Sequence, residues 1–199
     1  MKRMILMAIA AMMVLSAVGQ TRKTTPKRSN ATAQKSVVAK KQTFEMTLEL
    51  NGTLKGKQGE EYFVVQMPGK KARKIYDDVL FNVSRIYAHP ELVAEKLEGR
   101  SIVINGYAKE IGDLIMNDGS YDVKYRIEMQ FKDGRMRINI PTITMILVDK
   151  QVAGKIYTFE AYELNTVVTM GAGNIFRKLP DYLKQTITDL VYGTGDDNW

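Results

Sequence analysis

The chain of 199 residues has no cysteine and a single histidine. Each shortage closes off chemistry. Without cysteine there is no disulfide, thiolate nucleophile, iron–sulfur cluster or thiolate zinc site, and a lone His89 rules out any centre that needs two imidazoles. Ser-His-Asp and Cys-His constellations have almost nothing to draw on. Gly171-Ala172-Gly173 is a glycine-rich joint without the G-x-G-x-x-G spacing or the strand-turn-helix context of a phosphate cradle, so no cofactor is expected. No metal site is expected either. Asp77-Asp78 cannot readily share one ion, because adjacent helical residues point about 100° apart.

What is present starts at the N-terminus. Met1-Lys2-Arg3 is followed by an apolar run from Met4 to Leu15 and by small residues up to Gly19-Gln20. A basic start, a short apolar run and small-x-small residues make a secretory signal over 1–19, with cleavage between Gly19 and Gln20. The run is too short for a membrane span, which needs roughly 20 apolar residues. No later stretch approaches that length, so no transmembrane segment is expected once the signal is removed.

Residues 20–43 are rich in Thr, Ser, Ala, Gln and Lys and carry seven basic residues without one acid. Such a segment cannot repay the entropy of ordering and is expected to be a disordered basic tail. This reapportions the charge. The formal net charge is +7, from 29 Lys and Arg against 22 Asp and Glu. Two of the basic residues lie in the signal and seven in the tail, so twenty remain beyond it against all 22 acids. The folded part is therefore at −2, lacking the excess that nucleic-acid binding draws on. Nucleic acid is not expected as a partner.

The folded part reads as strands and helices in alternation. Phe44 to Leu50 alternates apolar and polar residues and ends at Asn51-Gly52, and Lys55 to Glu60 reads as a polar loop. Tyr62 to Met67 is a second strand, stopped by Pro68-Gly69. From Ala72 the period changes to that of an amphipathic helix, which ends near His89 because Pro90 disfavours helical backbone before it. A short helical piece over Glu91 to Leu97, a strand at Ile102 to Ile104 bent at Gly106, and a strand from Tyr121 to Phe131 follow. Asp133-Gly134 then predicts a two-residue hairpin of type I′. With Lys132 opposite Arg135, the pairs become Phe131 with Met136, Met129 with Ile138 and Ile127 with Ile140, all apolar on one face. The like charges at the tip are tolerable because the tip is exposed. Beyond Pro141 the apolar phase moves to Ile143, Met145 and Leu147, which implies a bulge. Ile156 to Leu164 reads as a further strand, Pro180 and Asp181 open a final helix, and Gly193 stops it.

This order of elements resembles a family of exported bacterial proteins known as a domain of unknown function with a TATA-box-binding-protein-like (TBP-like) fold. Lys74-Ile75-Tyr76 at the start of the first helix, the Ile102 to Gly106 strand and Phe131-Lys132-Asp133-Gly134-Arg135-Met136-Arg137 at the hairpin carry the resemblance, over roughly residues 44 to 147. The family helix often has a tryptophan where this chain has Leu80-Phe81-Asn82. The resemblance implies an α+β fold with a single antiparallel sheet and helices on one face, and an envelope or periplasmic setting in Gram-negative bacteria. It implies no catalytic residues. The expected domains are the signal, the tail, a TBP-like domain over 44–150 and a C-terminal extension over 151–199 whose final helix packs on it.

The polar side of the hairpin offers a binding face. Lys124, Arg126 and Arg137 are its candidate residues for an anionic ligand or an acidic patch on an envelope protein. Glu128, Gln130 and Asn139 share that side. Tyr62, Tyr107, Tyr121 and Tyr125 are candidates for stacking a sugar or a base. Asn82-Val83-Ser84 matches a glycosylation sequon but falls inside a helix. The expected function is non-catalytic binding in the envelope through the open sheet face, with a homodimer as one way to cover it. The alternative is a hydrolase using paired carboxylates on glycans.

Overall fold

The computed structural model describes residues 41–113, 119–152, 155–161 and 174–195, all within one compact unit that starts at Lys40. The signal, residues 20–40 of the tail, Gly171 to Gly173 and the last four residues lie outside the described residues.

Nine strands and three helices make up these residues. A two-stranded ribbon joins β1 (Met46–Leu48) to β2 (Leu54–Gly56), so the expected polar loop begins with a short strand. The main sheet holds β3 (Tyr62–Gln66), β4 (Ala94–Leu97), β5 (Ser101–Asp113), β6 (Gly119–Lys132), β7 (Arg135–Asn139), β8 (Thr142–Val152) and β9 (Lys155–Ala161). Every pairing in it is antiparallel. β6 is its spine: β5 lies along one side, and β7 and β8 follow one another along the other. β3 continues the sheet outward from β7, and β9 from β8.

Two amphipathic helices cover one face of this sheet. Ile75, Tyr76, Val79 and Val83 of α1 (Ala72–Ile86) and Leu179, Leu183, Ile187 and Leu190 of the last helix are buried against Ile102, Ile104, Val123, Ile127, Met129 and Ile138. Between them runs a single turn, α2 (Pro90–Val93), and the last helix is α3 (Ile175–Tyr192). The α+β arrangement with helices on one side of an antiparallel sheet is thus present, with the β1–β2 ribbon as an addition.

The hairpin register is the expected one, pairing Lys132 with Arg135, Phe131 with Met136 and Met129 with Ile138. The ladder ends there. Ile140 instead donates its N–H to the Glu61 carbonyl at 2.9 Å, so the expected pairing of Ile127 with Ile140 is not part of the ladder. The turn is not of type I′ either, because only Gly134 has positive φ, at 75°. Asp133 is committed elsewhere. One of its carboxylate oxygens accepts the N–H of Ala72 at 2.9 Å and the other meets Lys71 Nζ at 2.9 Å, so the turn residue caps the start of α1.

Other expectations change for identifiable reasons. Helix over Glu91 to Leu97 gives way after one turn, because Gly99 at φ 67° closes a tight turn that pairs Ala94–Leu97 with Ser101–Ile104. Gly106 does not bend its strand. It makes room, since a Cβ there would overlap the ring of Tyr125. The irregularity sits further on, between Ala108 and Gly112, where Glu110 adopts φ 54°. The bulge after Pro141 is found, with Thr144 as the extra residue. It leaves Ile143 facing the core beside Tyr125 but turns Met145 and Leu147 to the open side, and Ile146 and Val148 fill the core in their place. Pro180 lies inside α3 rather than at its start, five residues after Ile175. Lys178 N–H already bonds the Asn174 carbonyl, so Pro180 lies past the free first turn and its missing N–H costs α3 the one bond that would reach Phe176.

Candidate binding face

At and beside the hairpin, the side of the sheet turned away from the helices is built from the alternate residues of three neighbouring strands. From β6 come Asp122, Lys124, Arg126, Glu128, Gln130 and Lys132, from β7 Arg135, Arg137 and Asn139, and from β3 Tyr62, Val64 and Gln66. The period of two that buries Tyr121, Val123, Tyr125, Ile127, Met129 and Phe131 places these on the opposite surface. Among the described residues no helix packs on this surface.

The three cations named from the sequence all stand on it, but they do not converge. Arg137 pairs with Gln130, four residues along β6 from Arg126, a separation of roughly 13 Å at the rise of an extended strand. Arg126 is already in use, with its Nε 2.9 Å from Glu128 and its Nη1 3.8 Å from Glu95. Lys124 is exposed between Tyr107 and Met145 of the neighbouring strands and takes part in no ion pair among the described residues.

A tighter grouping lies at the hairpin end. Lys132 and Arg135 stand directly opposite each other, and Arg137 is two residues along β7 from Arg135. With Tyr62, Val64 and Gln130 they line a surface pocket of about 210 Å³. Arg137 is held in place there. Its Nε donates to Asn139 Oδ1 at 3.0 Å, and its guanidinium lies over the Tyr62 ring, 4.0 Å from the centroid. None of Lys132, Arg135 and Arg137 has a carboxylate partner among the described residues. Like charges directly opposite in a ladder cost stability, and Asp133 at the turn is taken up by Lys71 and Ala72.

The contrast with the helix side is sharp. Lys70, Lys71, Arg73 and Lys74, at the start of α1, each meet a carboxylate: Lys70 and Lys74 reach Asp78, Lys71 reaches Asp133, and Arg73 reaches Asp77 and Glu98. Asp77 and Asp78 are therefore spent on ion pairs along the helix. Burial raises the Asp78 carboxyl, and the hydrogen bonds from Lys70 and Lys74 more than offset this to leave it below its ordinary range. The Ala72 N–H and then Lys71 lower Asp133, and Lys184 lowers Glu45. These three carboxyls are all lowered, the reverse of what a general acid needs. Among the described residues no three His, Asp or Glu side chains group as metal ligands.

The remaining candidates fall into place individually. Tyr121 and Tyr125 are core residues; burial pushes the Tyr121 hydroxyl up to about 12 and Tyr125 higher still. Tyr62 and Tyr107 are the half-exposed pair on the open face. Tyr107 donates its hydroxyl to buried Asp122, whose other oxygen accepts the Glu110 N–H at 2.7 Å and so holds the bulge of β5. His89 is exposed at the start of α2, 3.5 Å from Glu91. Asn82 is buried and donates its amide to the Leu190 carbonyl at 2.9 Å, which ties α1 to the end of α3 and leaves no accessible sequon. The sequence reading passed over Lys132 and Arg135. Their signal was available in the hairpin register, which puts both on the same face as Arg137.

No family model matches the chain, and no curated protein does. Among solved structures it is similar to a TBP-like protein from Parabacteroides distasonis, at 12% identity with a TM-score of 0.48, over 65% of this chain and 87% of that one. The architecture described above rests on the strand pairing itself and not on that likeness.

Proposed function

We propose that this chain is an exported, non-catalytic binding protein of the bacterial envelope that holds an anionic ligand or partner on its open sheet face. One observation carries the reading: Lys132, Arg135 and Arg137 stand together on the uncovered side with no carboxylate partner among the described residues, while the four cations at the start of α1 are each paired. A free cationic corner on a domain of net charge −2 is a specific feature rather than a by-product of basic composition.

The way the chain enters the fold supports the same reading. Gln42 donates its backbone N–H to the Tyr192 hydroxyl at 2.9 Å, Lys41 stands over the Tyr192 ring, and Phe44 packs between Phe63 and Tyr192. Lys41 and Gln42 thus lie against α3, on the helix side and away from the open face. Export rests on the N-terminal pattern of residues 1–19. Among the described residues no helix is long and apolar enough to cross a membrane.

Co-sedimentation with insoluble envelope material tests the proposal. A chain carrying Arg135→Glu and Arg137→Glu should stay in the supernatant, and one carrying Lys71→Glu and Lys74→Glu, with the same change in net charge, should sediment like the unaltered protein. Equal behaviour of the two variants would remove the open face from the account.

A further inference from the structure

We infer that the hairpin-end pocket binds a carboxylate-bearing sugar, one uronic acid residue of an acidic glycan, through Arg137, Arg135 and Lys132. This rests on the open face being the binding face and goes further by naming the site and the ligand.

Charge comes first. Three cations surround about 210 Å³ of surface pocket and have no carboxylate partner among the described residues, so an entering anion displaces none. Direct opposition of Lys132 and Arg135 is relieved when an anion sits between them. The acids of this face lie beyond the pocket: Glu128 is engaged by Arg126 at 2.9 Å and by the Asn139 amide at 3.1 Å.

Geometry selects a planar anion. Arg137 has its Nε bonded to Asn139 and its plane set by the Tyr62 ring, which fixes the guanidinium before any ligand arrives. Its two terminal nitrogens have no hydrogen-bond partner among the described residues. A pre-set guanidinium fork matches a carboxylate with two parallel hydrogen bonds and loses little side-chain freedom on binding. Gln130, the cross-strand neighbour of Arg137, offers both a donor and an acceptor for hydroxyl groups.

The backbone argues for a sugar over a peptide. β7 is hydrogen-bonded on both sides, to β3 and to β6, so the main chain under the pocket is already paired. A peptide strand gains affinity mainly by adding to a free sheet edge, and the strand that carries Arg135 and Arg137 has none. A sugar acid is read entirely by side chains. The volume is below the 300 Å³ or so at which cavities for drug-sized ligands begin, which suits one sugar residue. The pocket opens on the sheet surface, where neighbouring residues of a glycan chain can continue.

The test is a titration of the purified chain with trigalacturonic acid, read by calorimetry and by the side-chain Nε–H signals of the arginines. Binding that shifts Arg135 and Arg137, weakens at least tenfold in Arg135→Ala and in Arg137→Ala, and weakens in Arg137→Lys, which keeps the charge but loses the fork, is the expected result. The basic tail is the same in all of these proteins, and a thermal melt of each variant establishes that it is folded. Absence of binding, binding unchanged in the variants, or equal binding of neutral trigalactose would overturn the inference. So would tighter binding of a sulfated oligosaccharide, which needs no planar fork, or of oligo-glutamate, which would make the ligand an acidic protein. If trigalacturonic acid fails while envelope co-sedimentation still depends on Arg135 and Arg137, the ligand assignment falls and the open face stands. If both fail, both fall.

Discussion

The two faces of β6 are built from the same fourteen residues and follow opposite rules. On the helix side, Tyr125, Ile127, Met129 and Phe131 are packed so closely that Gly106 has to lack a side chain for the Tyr125 ring to fit. Tyr76 meets Phe131 edge to face at 5.6 Å, and Tyr87 and Tyr125 share a hydroxyl contact at 3.0 Å. On the open side nothing is filled to that density, and at the hairpin end two like charges face each other without relief. The first face is arranged for stability. The second gives up a little stability at one corner, which is where a binding site differs from a solvated surface.

Substitutions on the two faces should separate accordingly. The largest effect is expected for Ile127→Ala, which leaves a cavity in the centre of the core and should lower the unfolding free energy in urea by about 3 kcal/mol. A loss below about 1 kcal/mol would mean the core is looser than its burial implies. Gly106→Ala comes next, at about 2 kcal/mol, because the new methyl displaces the Tyr125 ring. Asn82→Ala removes the amide that satisfies the Leu190 carbonyl inside the protein, and about 1–2 kcal/mol should be lost. A smaller, pH-dependent effect is expected from Asp133→Asn. The folded state lowers the Asp133 pKa, so its contribution is present above the ordinary aspartate value near 4 and is lost as pH falls through the lower folded value. The acid side of the stability profile should therefore be shallower in Asp133→Asn, and an identical slope would show that the cap contributes nothing. The smallest effect has the opposite sign. Arg135→Glu sets an acid opposite Lys132 and should raise stability by about 0.3–0.5 kcal/mol while removing binding. A variant that loses both would turn the hairpin corner into a structural feature.

Much of the fold was legible wherever local pattern and local turn chemistry agreed. The two-faced β6, the amphipathic α1 and the Lys132–Arg135 register follow from period and from Asp133-Gly134. What was hidden depends on residues far apart in the chain. The Asp133 carboxylate caps α1 across 61 positions, and the Asn82 amide satisfies the end of α3 across 108. Neither leaves a trace in a sequence window. β4 was hidden because its identity comes from pairing with β5, which overrides the helical pattern of Glu91 to Leu97. The apolar phase of Met145 and Leu147 does not mark the core, because one inserted residue, Thr144, reverses the faces on either side of it. For the proposed site, the hairpin register alone placed Arg137 on the polar side of the sheet, where the structure has it. It could not show that Arg126 is engaged by Glu128 and Glu95, which depends on side-chain contacts across three strands.

The most direct measurement is the response of the arginine side-chain Nε–H resonances when the purified chain is exposed to soluble envelope glycan. Shifts confined to Arg135 and Arg137 on the open face, with Arg73 and Arg85 of α1 unmoved, are the predicted result. Shifts centred on Arg73 and Arg85, or spread evenly over all four, would contradict the account.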